Sequence, residues 1–123
     1  MYTLDTNAVI YYLAGIDLVT EIIDKEFQND SVIYIPSVVR LELLSKSDIL
    51  RSEYSAIMRF LSQCRSIPLD DTIADIAADM RRLYGIKTPD SIIAATALFT
   101  DSDLVTRNYK DFKKVINIRV LKI

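Results

Sequence analysis

Residues 1–13 read MYTLDTNAVIYYL, a short apolar run that gives way at Asp5 to a helical pattern. The spacing predicts a strand over residues 2–4 and a helix over residues 8–13. The same change recurs after the run VIYIP at residues 32–36, where Glu42 lies in the first turns of the next helix. Asp90 follows Thr88-Pro89 and begins a third apolar helix. The sequence therefore places three acids at corresponding edges of an α/β pattern, and such acids can converge in space.

Strands and helices alternate along the whole chain, which predicts an α/β fold. Further strands are predicted over residues 32–35, 66–68, 104–106 and 116–121, and further helices over residues 18–28, 38–45, 49–64, 73–84 and 91–99. The helix over residues 73–84 has a predicted capping box of Thr72 and Asp75 at its start, and Gly85 at its end. Alternation of this kind is typical of a parallel sheet covered on both faces. No linker or repeat interrupts it, so residues 1–123 are predicted to form one domain.

The composition excludes several classes of enzyme and site. Half of the 123 residues are hydrophobic, the chain has no His, and Cys64 is its single cysteine. Without His, a Ser-His-Asp triad, a Cys-His pair and the usual zinc site are excluded. The single cysteine fits a reducing cytoplasm, and no stretch approaches the ~20 apolar residues of a membrane span. We therefore expect a cytoplasmic protein without a membrane partner, whose chemistry relies on carboxylates, amides, hydroxyls and basic side chains.

Clustered carboxylates require a compensating charge. Two of them about 4 Å apart repel each other by about 4 kcal/mol at an effective dielectric constant near 20. Either some of the acids are protonated or a cation binds among them. Oxygen ligands select Mg²⁺ or Mn²⁺ rather than zinc, and such an ion can activate water and neutralise charge on a phosphate. The acids therefore indicate metal-dependent nuclease chemistry.

Each acid also has a purely structural explanation. Asp5 could cap the helix that follows it, and Glu42 could be an exposed helix position. Asp90 lies in a first turn, where the helix dipole favours an anion whether or not a metal binds. Asn7 could orient Asp5 or only occupy the first helical turn.

A fourth site residue is expected where the strand over residues 104–106 ends and enters a loop. Asn108 and Asp111 both follow this strand, and Thr106 could hydrogen-bond an acid or a metal-bound water. Asp111 could also be a solvated acid among lysines. Asp101 and Asp103 precede the strand and are expected at its opposite end.

Basic residues are concentrated in two places, although the formal net charge is −2. One group, Arg81, Arg82 and Lys87, precedes Asp90. A local basic rim can bind phosphates on a mildly acidic protein, and the alternative is ordinary solvated surface. The other group lies near the carboxyl-terminal end of the chain and comprises Arg107, Lys110, Lys113 and Lys114.

With these residues assembled, the chain resembles PIN-domain proteins, and most of all the VapC-type toxin ribonucleases of toxin–antitoxin pairs. The resemblance rests on LDTN at residues 4–7, PSVVRLEL at 36–43, TPDSIIAATA at 88–97 and LVTRNYKDF at 104–112, in family order. It implies an α/β/α sandwich of three layers around a central, mainly parallel sheet of four or five strands. It also implies a Mg²⁺- or Mn²⁺-dependent endoribonuclease that hydrolyses RNA through a metal-activated water.

The resemblance carries over to particular acids. Asp5, Glu42 and Asp90 match the first three family acids and are expected to be catalytic residues that bind the metal. Asn108 stands where the family often has Asp, and Asp111 is a candidate to replace it. This departure puts a second metal ion in doubt.

The resemblance also implies partners. Basic residues near the carboxyl-terminal end are expected to contact the RNA backbone, namely Arg107, Lys110, Lys113 and also Lys114. An antitoxin protein and a second copy of the chain, in a homodimer, are expected partners. Apolar residues within 10–13 and 49–60 could serve such contacts or simply fill the core.

Two other functions compete with this interpretation. A phosphoacceptor receiver domain has a similar size, but it usually carries an acidic pair after its first strand, whereas Asp5 is followed by Thr6 and Asn7. A catalytically weak or inactive PIN-like module that binds RNA or a partner is the stronger alternative, because Asn108 is not an acid.

Overall fold

A computed structural model of residues 1–123 has one five-stranded sheet whose strands are all parallel. The strand order is β3-β2-β1-β4-β5, so the first strand of the chain lies at the centre. The mainly parallel sheet of four or five strands that the sequence predicted is confirmed. The strands are β1 (Tyr2–Leu4), β2 (Ile33–Pro36), β3 (Arg65–Ile67), β4 (Asp103–Thr106) and β5 (Val120–Lys122).

Seven helices flank the sheet and complete the α/β/α arrangement. No single helix is long and apolar enough to cross a membrane; the first two pass that test only as a pair, and they meet at a 97° bend. The helices are α1 (Thr6–Leu13), α2 (Asp17–Gln28), α3 (Ser37–Leu44), α4 (Arg51–Ser62), α5 (Asp71–Tyr84), α6 (Thr88–Thr100) and α7 (Tyr109–Phe112).

The core lies between the central strands and the helices that cover them. Leu4, Ile35 and Leu104 are fully buried in three neighbouring strands. Helix α6 is apolar on most of its faces, and seven consecutive residues, 91–97, are buried. Its small residues, among them Ala94 and Ala95, let it pack closely against its neighbours. Burial of α6 fixes the position of Asp90 in its first turn.

The segment after β4 differs from the prediction. Residues 109–112 were predicted as loop but form the short helix α7, which is anchored by the buried side chain of Phe112. The last strand was predicted over residues 116–121 but begins only at Val120. Ile116, which suggested an earlier start, is 80% exposed and lies in the connection. The apolar side chain of Ile116 therefore misled the prediction of where the last strand begins.

The start of α5 also differs from the prediction. Asp70, not Thr72, caps the helix, and its Oδ1 accepts a hydrogen bond of 3.0 Å from the backbone N–H of Ile73. The helix therefore begins two residues before the predicted position. Its end is confirmed, because Gly85 adopts the left-handed conformation with φ of 67°.

Replacing Asp70 with Ala is expected to lower the free energy of unfolding by about 1 kcal/mol, because the N–H of Ile73 loses its acceptor. Thr72→Ala is the matched control, and we expect it to be neutral or slightly stabilising because Ala favours helix interiors. Urea unfolding followed by circular dichroism measures both. A larger loss for Thr72→Ala would show that the cap is misplaced.

Candidate active site

Asp5 lies at the carboxyl end of the central strand and has two structural bonds. Its Oδ1 accepts a 2.8 Å hydrogen bond from the N–H of Ala8, so it is the N-cap of α1. Its Oδ2 accepts a 2.5 Å bond from the hydroxyl of Thr106 at the end of β4. The side chain is 7% exposed. Capping and a place in the acidic site therefore coexist in one residue.

Burial raises the pKa of Asp5, and the nearby charge of Glu42 raises it further. The hydrogen bonds from Thr106 and Ala8 act in the opposite direction, because they favour the charged carboxylate. The net shift is upward, which means that the folded protein disfavours the negative charge at this position. A cation bound beside Asp5 would remove that penalty.

Glu42 reaches the same edge of the sheet from α3. Its Oε1 accepts a 3.0 Å hydrogen bond from the hydroxyl of Thr6, in the first turn of α1, and its side chain is exposed. Asn7 is exposed and makes no hydrogen bond to Asp5. Thr6 therefore holds Glu42 and Thr106 holds Asp5, whereas Asn7 holds neither acid.

Asp90 lies in the first turn of α6, directly after Pro89. Its pKa is raised, first by burial and then by the negative charges of Asp111, Asp5 and Glu42, while Lys87 lowers it. Asp90 therefore lies within electrostatic reach of all three of the other acids. The charges of the acids at the strand–helix junctions therefore act on one another at this edge of the sheet.

The fourth position is occupied by a bonded pair rather than by one residue. The side-chain amide of Asn108 donates a 2.5 Å hydrogen bond to Oδ2 of Asp111. The backbone N–H of Asn108 donates a 2.9 Å bond to the Thr106 hydroxyl, which itself donates to Asp5. Asp111 is the acid with the largest charge effect on Asp90. Asn108 thus holds the carboxylate of Asp111 by a hydrogen bond, and Asp111 is the carboxylate of this segment that acts on Asp90.

The basic residues divide into engaged and unpaired side chains. Arg107 donates a hydrogen bond to the hydroxyl of Tyr11 and lies 5.4 Å from the centre of its ring. Lys110 and Lys113 are exposed and form no ion pair. Lys87 and Lys114, one from each of the two basic groups seen in the sequence, line a small cavity together with Asp90 and Asp111.

The opposite end of β4 carries a separate charge cluster. Arg119 pairs with Asp103 at 2.5 Å and with Asp101 at 3.3 Å. These two acids therefore have a structural partner. The expectation that they lie away from the site is consistent with this pairing.

The four acids offer only oxygen atoms as ligands, which suits a hard divalent ion. As the side chains stand, no three of them lie close enough to enclose one ion. Mg²⁺ usually keeps several waters and takes one or two carboxylates from the protein. The arrangement fits that mode of binding and not a closed cage.

Known proteins share the sequence pattern and the fold of this chain. The PIN domain family model matches residues 2–117. Ribonuclease VapC19 of Mycobacterium tuberculosis is 31% identical over 117 residues, which cover 91% of this chain and 92% of that protein. Ribonuclease VapC1 of Rickettsia felis is 28% identical over 131 residues, which cover 98% of this chain and 94% of that protein. The crystal structure of VapBC2 from Rickettsia felis, bound to a DNA fragment from its promoter, matches with a TM-score of 0.86 and 27% identity, over 99% of this chain and 98% of that one. The chain belongs to the PIN domain family, among its VapC-type members.

Proposed function

We propose that the protein is a Mg²⁺- or Mn²⁺-dependent endoribonuclease and the toxin of a type II toxin–antitoxin pair. The observation that carries the proposal is that three acids, Asp5, Glu42 and Asp111, lie near enough to Asp90 for their charges to raise its pKa. The relatives named as VapC ribonucleases support the reaction, and the VapBC2 structure supports the toxin role.

Asp5 and Asp90 are the residues proposed to hold the ion directly. Both are partly or fully buried and have a raised pKa, so both gain most from a neighbouring cation. The bonds from Ala8 and Thr106 leave each oxygen of Asp5 with a further lone pair for a ligand. When bound, the ion lowers the pKa of a water molecule and offsets negative charge that develops on the phosphate.

Glu42 and Asp111 complete the catalytic set. Glu42 is exposed and held by Thr6, so its free oxygen can accept a hydrogen bond from the attacking water and orient it. Asp111 is held by Asn108 beside Asp90, where it can bind a water or a second ion that the RNA phosphate also contacts. Asn108 acts through Asp111 and is a positioning residue in this proposal.

Contacts to the RNA backbone are proposed for the basic residues of the carboxyl-terminal segment. Lys110 and Lys113 carry unpaired charges on and beside α7. Arg107 would contact RNA from a fixed position, because Tyr11 holds its guanidinium. Such contacts predict an affinity for RNA that decreases with salt concentration.

An antitoxin and a second copy of the chain are the proposed protein partners, in the cytoplasm. A cavity of about 420 Å³ between α1, α3 and α4 supports the proposal of an antitoxin partner, because it offers an apolar surface for docking. Ile10 and Leu13 are 46% and 38% exposed at its edge, and Lys46 and Glu53 add opposite charges. Phe60 does not line the cavity and belongs to the core, whereas Ile57 is buried and also lines the cavity. The apolar residues of α4 therefore both fill the core and line the cavity proposed for the antitoxin, according to the face of the helix on which each residue lies.

The alternative is a PIN-like module that binds RNA or a partner with little or no cleavage. Asn108 in place of an acid favours it, whereas the position of Asp111 beside Asp90 favours an active enzyme. The receiver-domain alternative is excluded by the family match over residues 2–117.

Cleavage of labelled RNA in the presence and absence of metal tests the proposal. We expect the purified protein to cut single-stranded or structured RNA in Mg²⁺ or Mn²⁺, to lose this activity in EDTA, and to regain it when either ion is restored. Binding of RNA without any metal-dependent cleavage, in a protein shown to be folded, would establish the binding module instead.

A further inference from the structure

We propose that Lys87 and Lys114 form a phosphate-binding subsite that holds an RNA phosphate beside Asp90 and Asp111. This inference rests on the proposed ribonuclease function and deepens it, because it names the residues that position the substrate. The sequence placed these lysines in two separate basic groups, and the structure brings one lysine of each group to a single cavity beside the acids.

The subsite is a cavity on the outer flank of the acidic cluster. Its volume is about 110 Å³, which corresponds to about four water molecules at ~30 Å³ each and leaves room for a phosphate group. One wall comes from the turn between α5 and α6 and the other from the segment after α7. The lining residues are Gly85, Ile86, Lys87, Asp90, Asp111 and Lys114.

On the first wall, Lys87 is the basic residue that lines the cavity. Arg81 donates a 3.2 Å hydrogen bond to the carbonyl of Ile86, and Arg82 pairs with Asp79 at 2.6 Å. Lys87 forms no ion pair, yet it is close enough to lower the pKa of Asp90. Its ammonium group is therefore available to an anion that reaches Asp90.

On the second wall, the basic residue that lines the cavity is Lys114. It forms no ion pair and lines the cavity, whereas the Arg107 guanidinium is bound to Tyr11. Lys110 and Lys113 do not line this cavity. The cavity is thus lined by one lysine without an ion pair from each wall, together with the same two acids.

Charge explains why the subsite is needed. An RNA phosphate that approaches four carboxylates is repelled before any ion neutralises them. Two ammonium groups at the margin of the cluster offset that repulsion, and they direct the phosphate to the side of the cluster where Asp90 and Asp111 meet. Lysine suits this task because its three donors rotate freely around a compact charge.

The test compares two double variants with the same change in net charge. Lys87→Gln/Lys114→Gln removes the subsite, whereas Lys25→Gln/Arg65→Gln removes two exposed cations near the opposite, amino-terminal edge of the sheet. Binding of a fluorescein-labelled single-stranded oligoribonucleotide is measured by anisotropy over a range of KCl concentrations. Ca²⁺ replaces Mg²⁺, so that the acids are neutralised while cleavage is slow.

We expect the Lys87/Lys114 variant to bind roughly tenfold more weakly at low salt. The slope of log affinity against log salt should decrease in magnitude by about 0.7, the value for one phosphate on a single strand. The control variant should keep the wild-type slope. Equal affinities and slopes for the two variants would overturn the subsite. Failure of the proposed ribonuclease function would be seen in a different experiment, as a wild-type protein that does not cut RNA in Mg²⁺ or Mn²⁺. In that case the binding comparison would still show whether the subsite exists.

Discussion

Asp90→Asn is expected to reduce metal-dependent RNA cleavage at least about 10³-fold. The substitution keeps the shape of the side chain but removes the charge that an ion needs, and a catalytic metal contributes several kcal/mol to stabilisation of the transition state. Initial rates of cleavage of labelled RNA in saturating Mg²⁺ measure the effect. Asp5→Asn should cause a loss of similar size, because Asn can still accept the hydrogen bond from Ala8 and preserve the cap.

Asp71→Asn is the matched control for this experiment. Asp71 also lies in the first turn of a helix, but it is exposed and is not among the acids whose charges act on Asp90. It should retain wild-type cleavage. Circular dichroism and thermal unfolding establish that each variant is folded. If folded Asp90→Asn kept more than a tenth of the wild-type rate, the assignment of Asp90 as a metal ligand would be wrong.

The second large effect is that the wild type and Asp90→Asn exchange their order of stability when metal is added. In the folded protein the pKa of Asp90 is raised above its ordinary value of 3.8. The folded state therefore binds more protons than the unfolded chain as pH rises from 3.8 through the raised pKa. Over that interval the contribution of Asp90 to the free energy of unfolding becomes more negative, and it stays so at higher pH.

Asp90→Asn removes this unfavourable contribution. At pH 7 without metal, we expect the variant to be more stable than the wild type. Mn²⁺ at about 100 times its dissociation constant should raise the wild-type free energy of unfolding by about 2.7 kcal/mol. The variant should gain far less, so the order of stability reverses when the metal is added.

Urea unfolding at a series of pH values, with Mn²⁺ and with EDTA, measures both parts of this prediction. The difference between the wild type and Asp90→Asn isolates the titration of this carboxyl group from the others. An unchanged order of stability in EDTA and in Mn²⁺ would contradict the assignment. Equal gains from Mn²⁺ in both proteins would place the ion elsewhere.

The strands and the junction acids were predictable because local patterns mark where a strand ends. Asp5 follows a predicted strand and precedes a helix, and Asp90 directly follows Pro89 at the start of a helix. Their positions could therefore be predicted from local sequence, without knowledge of distant contacts. The same patterns correctly predicted a parallel sheet, since the apolar central strands are buried on both faces.

Other features depend on contacts that a local pattern does not contain. Helix α7 has only four residues, too few to show a helical period, and it forms because Phe112 is buried against the rest of the fold. The partnership of Asn108 with Asp111 follows from that helix. The bond between Thr106 and Asp5 depends on the register of β1 with β4, which pairs Leu4 with Val105.

The choice of cap for α5 shows a different limit. Asp70 and Thr72 are both good N-cap residues, and either satisfies the local pattern. The position at which the helix begins decides which side chain reaches a free N–H, and that position is set by packing of the whole helix. A local rule therefore narrowed the start of α5 to a few residues without selecting the right one.

The central place of β1 has a consequence for the synthesis of the protein. Asp5 emerges first from the ribosome, but the hydroxyl that holds it belongs to Thr106, 101 residues later. Asp111 and Asn108 follow later still. A growing chain that has not yet released β4 lacks Asp111, one of the four acids, and also lacks the strand whose Thr106 holds Asp5. Under the proposed function, the enzyme is inert while it is being translated, and the messenger that encodes it is safe from the unfinished product.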